Sequence, residues 1–379
     1  MPDGGITESA AELGSLNDIA DLQAELDDRR NVVDEAETEL RHVPIYNIES
    51  YGADLTAEQH AHRVHKGAYI VPPFQRSYIW SPIKASRFIE SLLLGLPVPS
   101  IFLFKEHKDG KLLVVDGQQR LKTLAFFYKE AFAEGPAKDR TFRLSQVKEN
   151  WDGKTYSQLS DDDRQRLDDA VIHTIIFRQN QPSDDYSSVF HVFERLNTGG
   201  MNLSAQEIRT CVAYGQFVIK LRELNKDENW RRIFGKESVR LKDQELILRF
   251  LALYDNGDNY QRPMNDFLNR FIMSYRNDAA ALERFAALFR RTIACARKCL
   301  GDRAFRPEAA LNAALYDACM VALARRLDRG GEPNPSCVKS RYDELVSDAK
   351  FQSFYRRATS DKESVLRRIE MATTAFETC

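Results

Sequence analysis

The sequence predicts an α+β protein, a small mixed α/β domain followed by a mostly α-helical one. Three observations predict it. Short strand-like runs bounded by Pro, Gly and Asp-Gly are confined to roughly residues 41–180. Beyond that stretch, apolar residues recur at helical spacing almost to the end of the sequence. The 379 residues, 43% hydrophobic and 29% charged, suffice for two or three domains with real cores. The division read from the sequence is a leader over 1–40, an α/β domain over 41–215 and a helical domain over 216–379.

The leader holds twelve Asp or Glu against two Arg. One helix, roughly 10–28, is expected in it, followed by the acidic "VVDEAETEL". Such a segment is either a docking arm or a solvated, partly disordered leader. The rest of the chain carries a surplus of eight basic side chains, which permits a polyanionic partner without requiring one. The start lacks the positive flank and apolar core of a secretory signal, and no apolar run is long enough to cross a bilayer. A cytoplasmic protein with no membrane partner is therefore expected. The six cysteines, at 211, 295, 299, 319, 337 and 379, do not crowd as metal ligands do and read as mostly reduced thiols.

In the α/β region "RHVPIYNIES" reads as a strand, "LTAEQHAHRVHKGAY" as a short helix and "YIVPPF" as an extended piece held by two prolines. "SPIKASRFIESLLLG" has Ser81 as N-cap, Pro82 in the first turn and Gly95 as the stop. "PVPSIFLFKE" and "KLLVV" are strands joined through an Asp-Gly turn, and a helix follows over 118–132. "TFRLS", "KTYSQL" and "AVIHTIIFRQ" are expected as further strands. "SSVFHVFERLN" is helical, "TGG" breaks it, and Ser204 with Glu207 forms a capping box that starts the next helix. Helices are then expected at about 216–226, 242–254, 263–274, 278–300, 307–328, 338–352 and 360–376.

Three polar knots stand out against apolar surroundings. The first is "LLVVDGQQRLKTLAFF", in which a strand ends at Asp116-Gly117 and feeds straight into a helix at Gln118. A helix start presents unpaired backbone N–H groups, the physical basis of phosphate binding there. Gly117 permits a tight turn and close approach, and Arg120 offers a forked donor to phosphate oxygens. Gln118 and Gln119 suit a ribose, a base edge or a water. Asp116 suits a metal ion, a clamp on Arg76 or Arg120, or a sugar hydroxyl. The plainer alternative is that Asp116 caps the helix, the glutamines face water and Arg120 pairs locally. The second knot, "PPFQRSYIW", sets Gln75, Arg76, Tyr78 and Trp80 on a short constrained stretch. The third, "VFERLNTGGMNLSAQE", sets Arg195, Asn197, Thr198 and two glycines at a turn between helices.

In that order, "VPPFQRSYIW", "LLVVDGQQRLKTL" and "VFERLNTGGMNLSAQEIR" resemble the signature stretches of the GmrS-type domain family. Its members stand at the N-terminus of modification-dependent restriction enzymes and related phage-defence proteins. The resemblance covers roughly residues 41–215. It implies a fold related to the ParB and sulfiredoxin nucleotide-binding domains, and a nucleoside triphosphate, with Mg2+, hydrolysed in the service of DNA restriction. The family's motifs fall on Asp116, Gly117, Gln118, Gln119 and Arg120; on Gln75, Arg76 and Trp80; and on Asn197 and Gly199. Asp116, Gln119 and Arg120 are the catalytic candidates, with Asp116 as the metal ligand. His173 and His191 enter as bases only if they reach the pocket; His173, within "AVIHTIIF", reads more simply as a packed strand residue.

Full-length members of the family often carry a His-Asn-His nuclease after a helical region. Here the last histidine is His191, so the helical domain lacks the imidazole that such a site needs. A separate nuclease or effector is the expected partner, and a homo-oligomer is left open. The other reading, from a different class, is a nucleic-acid-binding or protein-interaction adaptor without catalysis. Arg276, Arg284, Arg290, Arg291, Arg297 and Lys298 would touch double-stranded DNA, unless they are only the wet face of an amphipathic helix.

Overall fold

The computed structural model describes residues 31–34, 47–71, 78–106, 110–135, 137–181, 187–196 and 203–379. The expected leader helix, along with Gln75, Arg76, Asn197, Thr198 and Gly199, lies outside them. The chain forms two compact units, 44–198 and 199–379 together with 1–43.

The first unit runs β1 (Asn47–Thr56), α1 (Ala57–His65), β2 (Tyr69–Ile70), α2 (Pro82–Leu93), β3 (Ile101–Lys105), β4 (Leu112–Asp116), α3 (Gln118–Tyr128), α4 (Asp161–Asp168), β5 (Val171–Gln181) and α5 (Ser187–Leu196). The strands make one sheet in the order β1-β5-β3-β4-β2. β5 is antiparallel to β1 and parallel to β3, β3 is antiparallel to β4, and β4 is parallel to β2. Leu113, Val114 and Val115 of β4 are all buried, so this strand is covered on both faces. One face, with Ile101, Leu103, Val114, Ile172 and Ile176, joins Leu121, Leu124 and Phe127 of α3 in the main core. On the other, Phe104 meets Phe177 at 5.5 Å, and the Gln179 side chain accepts from the Ser188 backbone at 3.2 Å, tying α5 to β5.

Local chemistry explains most of the boundaries. Ser81 accepts from the Lys84 amide, Pro82 follows it, and Gly95, with φ of 71°, ends the turn after α2. The strands expected in "TFRLS" and "KTYSQL" do not form. Beyond an isolated bridge from Thr141 to Ala131, the first is irregular, and the second holds a short 3-10 turn, Tyr156–Gln158, closed by a capping box from Thr155 to Gln158. Side-chain capping there out-competes a ladder that has no neighbouring strand to join. His173 is exposed, not packed: alternation along β5 buries Ile172 and Thr174 and turns His173 outward to Asp54, 2.7 Å away.

His60 of α1 is fully buried, with Nδ1 3.0 Å from the Tyr69 hydroxyl and Nε2 3.1 Å from that of Thr174. Burial pushes its pKa from 6.5 down to about 4. The unfolded imidazole therefore takes up a proton that the folded one refuses, and stability falls as pH drops from 6.5 towards 4. The expected loss across that window is on the order of 3 kcal/mol. Denaturant unfolding of wild type and His60→Gln at pH 7, 5.5 and 4 checks this; parallel pH profiles would refute it.

The second unit holds α6 (Ala205–Val212), α7 (Gln216–Asn225), α8 (Glu228–Phe234), α9 (Lys242–Asn256), α10 (Met264–Ser274), α11 (Ala279–Leu300), α12 (Ala313–Asp328), α13 (Pro335–Ser347), α14 (Ala349–Arg356) and α15 (Lys362–Phe376). Ser204 and Glu207 close the expected capping box of α6. The units part at 198/199, so α6 belongs with the helices, whereas the sequence reading carried the α/β domain to 215. The physical reason is Arg209 of α6, fully buried and donating to Asn265 and Asn269, each at 2.8 Å. At the centre, α12 is buried from Ala313 to Ala324, its alanines letting α9, α11 and α15 approach closely. Asp317 in that helix is fully buried, 2.6 Å from Arg249 and 3.3 Å from Arg368.

Two features bear on the leader and the thiols. Val32–Val33 pairs in parallel with Leu311–Asn312, and Asp34 reaches Lys242 at 2.6 Å and Arg249 at 2.7 Å. This stretch of the leader is docked, not solvated. Cys337 and Cys379 form a disulfide, while Cys211, Cys295, Cys299 and Cys319 are free. The Asn334 amide donates to the Cys379 carbonyl at 2.9 Å, which brings together two cysteines 42 apart in sequence. No helix among the described residues is long and apolar enough to cross a membrane.

Candidate functional site

β4 ends at Asp116, Gly117 turns the chain with φ of 100°, and α3 starts at Gln118 with no side-chain cap. Asp116 does not cap the helix. Its carboxylate takes a 2.7 Å hydrogen bond from Arg120 one turn on, and the same Arg120 nitrogen donates to the Ser100 carbonyl at 3.2 Å. Glycine is demanded at 117 twice over. Its φ is left-handed, and a Cβ there would lie 2.9 Å from Ile101 Cγ1 and 3.3 Å from the Arg120 guanidinium folded back over it. Arg120 is mostly buried, at 12% side-chain exposure, whereas Asp116 is about half exposed at 48%. Arg120 Nε is buried with no hydrogen-bond partner, so the fork is not saturated by its local contacts.

Gln119 links the first two knots. Its side-chain oxygen accepts from the backbone N–H of Ile79 at 3.0 Å and of Trp80 at 3.4 Å. Tyr78 is turned into the core, its hydroxyl 2.8 Å from Thr123, which in turn donates to the Gln119 carbonyl at 2.8 Å. Burial pushes the Tyr78 phenol up, so it stays neutral and serves as a strut. Trp80 packs edge-on against Phe88 at 5.7 Å, with the Lys84 ammonium 5.3 Å from its ring. Gln118 is buried. The end of the "PPFQRSYIW" stretch is thus fastened to the first turn of α3.

Three supporting groups were not singled out from the sequence: Thr123, Glu134 and Gly135. Glu134 pairs with Lys122 at 2.6 Å and accepts from the Tyr78 amide at 3.4 Å. A Cβ at Gly135 would meet the Tyr78 carbonyl oxygen at 2.2 Å. Only Thr123 had a sequence signal, its place four residues after Gln119 on one helix. The helix that opens the third knot, α5, packs against β4, the strand that ends in Asp116.

Residues 58–214 match the family described as the GmrSD restriction endonuclease, N-terminal domain. That stretch is a GmrSD-type N-terminal domain. It spans a little under half of the chain, and no curated protein and no solved structure matches the chain. Membership sets the context as restriction and phage defence. Inside the GmrSD-type domain fall all three knots, the Asp116–Arg120 pair and the Gln119 clamp.

His173 pairs with Asp54, and His191 lies 3.7 Å from Glu194. Among the described residues no group of three or more His, Cys, Asp or Glu could hold a metal ion. Outside the domain, five of the six cations offered for DNA have a carboxylate partner. Arg284 meets Asp255 at 3.4 Å, Arg297 meets Asp302 at 2.9 Å and Lys298 meets Glu332 at 2.5 Å, while Arg290 pairs with Glu223 and Arg291 with Asp328. Arg276 donates to the Tyr214 carbonyl at 2.8 Å instead. The wet face of α11 is internally neutralised.

Proposed function

We propose that the GmrSD-type domain binds a nucleoside triphosphate at the start of α3 and hydrolyses it to drive DNA restriction by a separate nuclease or effector. The observation that carries this is the uncapped helix start behind Gly117, with Arg120 stored across it and its Nε unpartnered. A helix start that no side chain caps, with a guanidinium beside it, offers the kind of donors that a phosphate needs. The local pair with Asp116 costs little to exchange, because a half-exposed ion pair is worth only about 0–1 kcal/mol. A phosphate that replaces Asp116 as the counter-ion of Arg120 frees that carboxylate.

Asp116 then fits a Mg2+ ion, which is commonly held by one or two carboxylates plus the phosphates themselves. When bound, the ion would offset charge on the phosphate oxygens. Arg120 orients the phosphates and screens the charge that develops on transfer. Gln119 positions the segment ending in Trp80, with its amide oxygen committed to backbone; Gln75, Arg76, Asn197 and Gly199 are nucleotide-binding candidates through the family resemblance alone. Gln118 stands buried at the helix start.

Calorimetric titration of ATP, GTP, CTP and UTP with Mg2+ tests the proposal, alongside phosphate release. Arg120→Ala is expected to weaken binding at least tenfold and to abolish release, since a charge-assisted bond contributes about 1.5–3 kcal/mol. Asp116→Asn should retain binding and lose release. Equal affinity in wild type and Arg120→Ala, or no heat from any of the four, would end this reading. Salt-dependent DNA retention that survives Arg120→Ala would favour the adaptor instead.

A further inference from the structure

The second unit gathers buried cations that lean on a distant part of the chain. Lys242, Arg249 and Arg368 face the carboxylates of Glu245 and Asp317, with Lys242 2.7 Å from Glu245. Three buried or mostly buried cations facing two anions is a costly arrangement, which a further anion relieves. It comes from far away in the sequence. Asp34 places one oxygen 2.6 Å from Lys242 and 2.7 Å from Arg249.

We propose that this notch is a recognition site for an extended peptide of the pattern apolar, any residue, aspartate, which residues Val32–Asp34 fill from within the same chain. Three observations support a ligand-like fit over an ordinary core element. Recognition is by strand addition: Val32 and Val33 pair in parallel with Leu311 and Asn312, and Arg306 donates to the Asn31 carbonyl at 3.3 Å. Main-chain pairing of this kind holds a segment whatever its sequence, and alternate side chains select it. The alternation is present: Val32 is buried, Val33 is 53% exposed, and Asp34 points into the notch. The groove also extends beyond the segment that fills it: an open cleft of about 400 Å3 runs beside Val33 and Asp34, lined by Pro307, Tyr355, Arg356 and Thr359.

The carboxylate is the selective feature. Burial by itself would raise its pKa, but the charges of Arg249 and Lys242 outweigh that and hold it at about 2. Asp34 is therefore ionised at any physiological pH, and an amide or an alanine in its place leaves Lys242 and Arg249 short of a counter-charge.

The probe is a fluorescent peptide of residues 29–37, with a second version carrying Ala in place of its aspartate at position 34. Both are titrated into the full chain, wild type and Asp34→Ala. The expected result is that the aspartate peptide binds the Asp34→Ala chain at least tenfold more tightly than it binds wild type, whose notch is occupied. The alanine peptide should be at least tenfold weaker on the Asp34→Ala chain. Equal binding to both chains, or by both peptides, overturns the proposal. Amide exchange on the wild type decides independently of how Asp34→Ala folds. Val33 and Asn312 exchanging at least tenfold faster than the middle of α12 supports a separately opening segment. Exchange in step with α12 makes residues 32–34 plain core and overturns it.

Discussion

Asp317→Ala lowers the stability of the helical unit by about 3–5 kcal/mol, the range for removing one partner of a buried ion pair. The size follows from what is left behind. Asp317 is fully buried in α12 and receives Arg249 from α9 and Arg368 from α15, both also buried. Without it the two guanidinium groups lose their shared carboxylate; Arg249 keeps Asp34, which Lys242 also uses, and Arg368 keeps its hydrogen bond to the Thr359 carbonyl. The cost lies in the orphaned charges and not in a large intrinsic worth of the pair. A variant that removes charges together, Arg249→Met with Asp317→Leu, should therefore recover part of the loss, limited by Arg368 and Asp34 remaining. Denaturant unfolding followed at the buried Trp230 reads both variants. A loss below about 1 kcal/mol for Asp317→Ala would show that water or rearrangement relieves the charges.

Gly135→Ala is expected to cost about 2–5 kcal/mol in the α/β unit, the sum of left-handed strain and overpacking. Its φ is +88°, and the new Cβ would fall 2.2 Å from the Tyr78 carbonyl oxygen, a backbone atom that can yield only by moving its strand of chain. Tyr78 is held by Thr123, Phe126 and Phe132, and the next two residues hang on Gln119. The displacement therefore runs towards Trp80 and the start of α3, and nucleotide affinity should fall with stability. Gly153→Ala is the control: φ there is +74° but nothing lies within 4 Å of the added Cβ. It should show the backbone strain alone, about 1–2 kcal/mol. Equal losses at the two positions would mean that the Tyr78 contact carries no energy.

Much of the site was legible because its signals are local. An apolar strand that stops at Asp-Gly and resumes at helical spacing specifies a strand-to-helix junction, and Gly117 adopts the left-handed turn that such a junction needs. Ser81, Pro82 and the Ser204–Glu207 box are equally local, each acting within one turn of helix. What the local signals left open was the role of Asp116. Geometry removes the capping role, since the carboxylate goes to Arg120 and not to the amides of α3, and it bears out the local pairing of Arg120. Tyr78 shows the opposite failure. Its place in a polar knot suggested a pocket, yet its ring is core, because a phenol with one buried partner packs as well as a phenylalanine.

The amino-acid order alone determined the α+β class, the run of strands before helices, the Asp116–Arg120 junction and the family to which residues 58–214 belong. Each of these depends on neighbours within a few residues, where periodicity, capping and turn chemistry act. Only the tertiary structure decided that Asp34 answers Lys242 and Arg249, more than two hundred residues away, and that Gly135 buttresses Tyr78. It also decided that α6 belongs with the helices and that Cys337 meets Cys379. Buried charges, close backbone approaches and thiol pairs are set by which surfaces come to share one interior, and that depends on the packing of the whole unit, not on the spacing of residues along the chain.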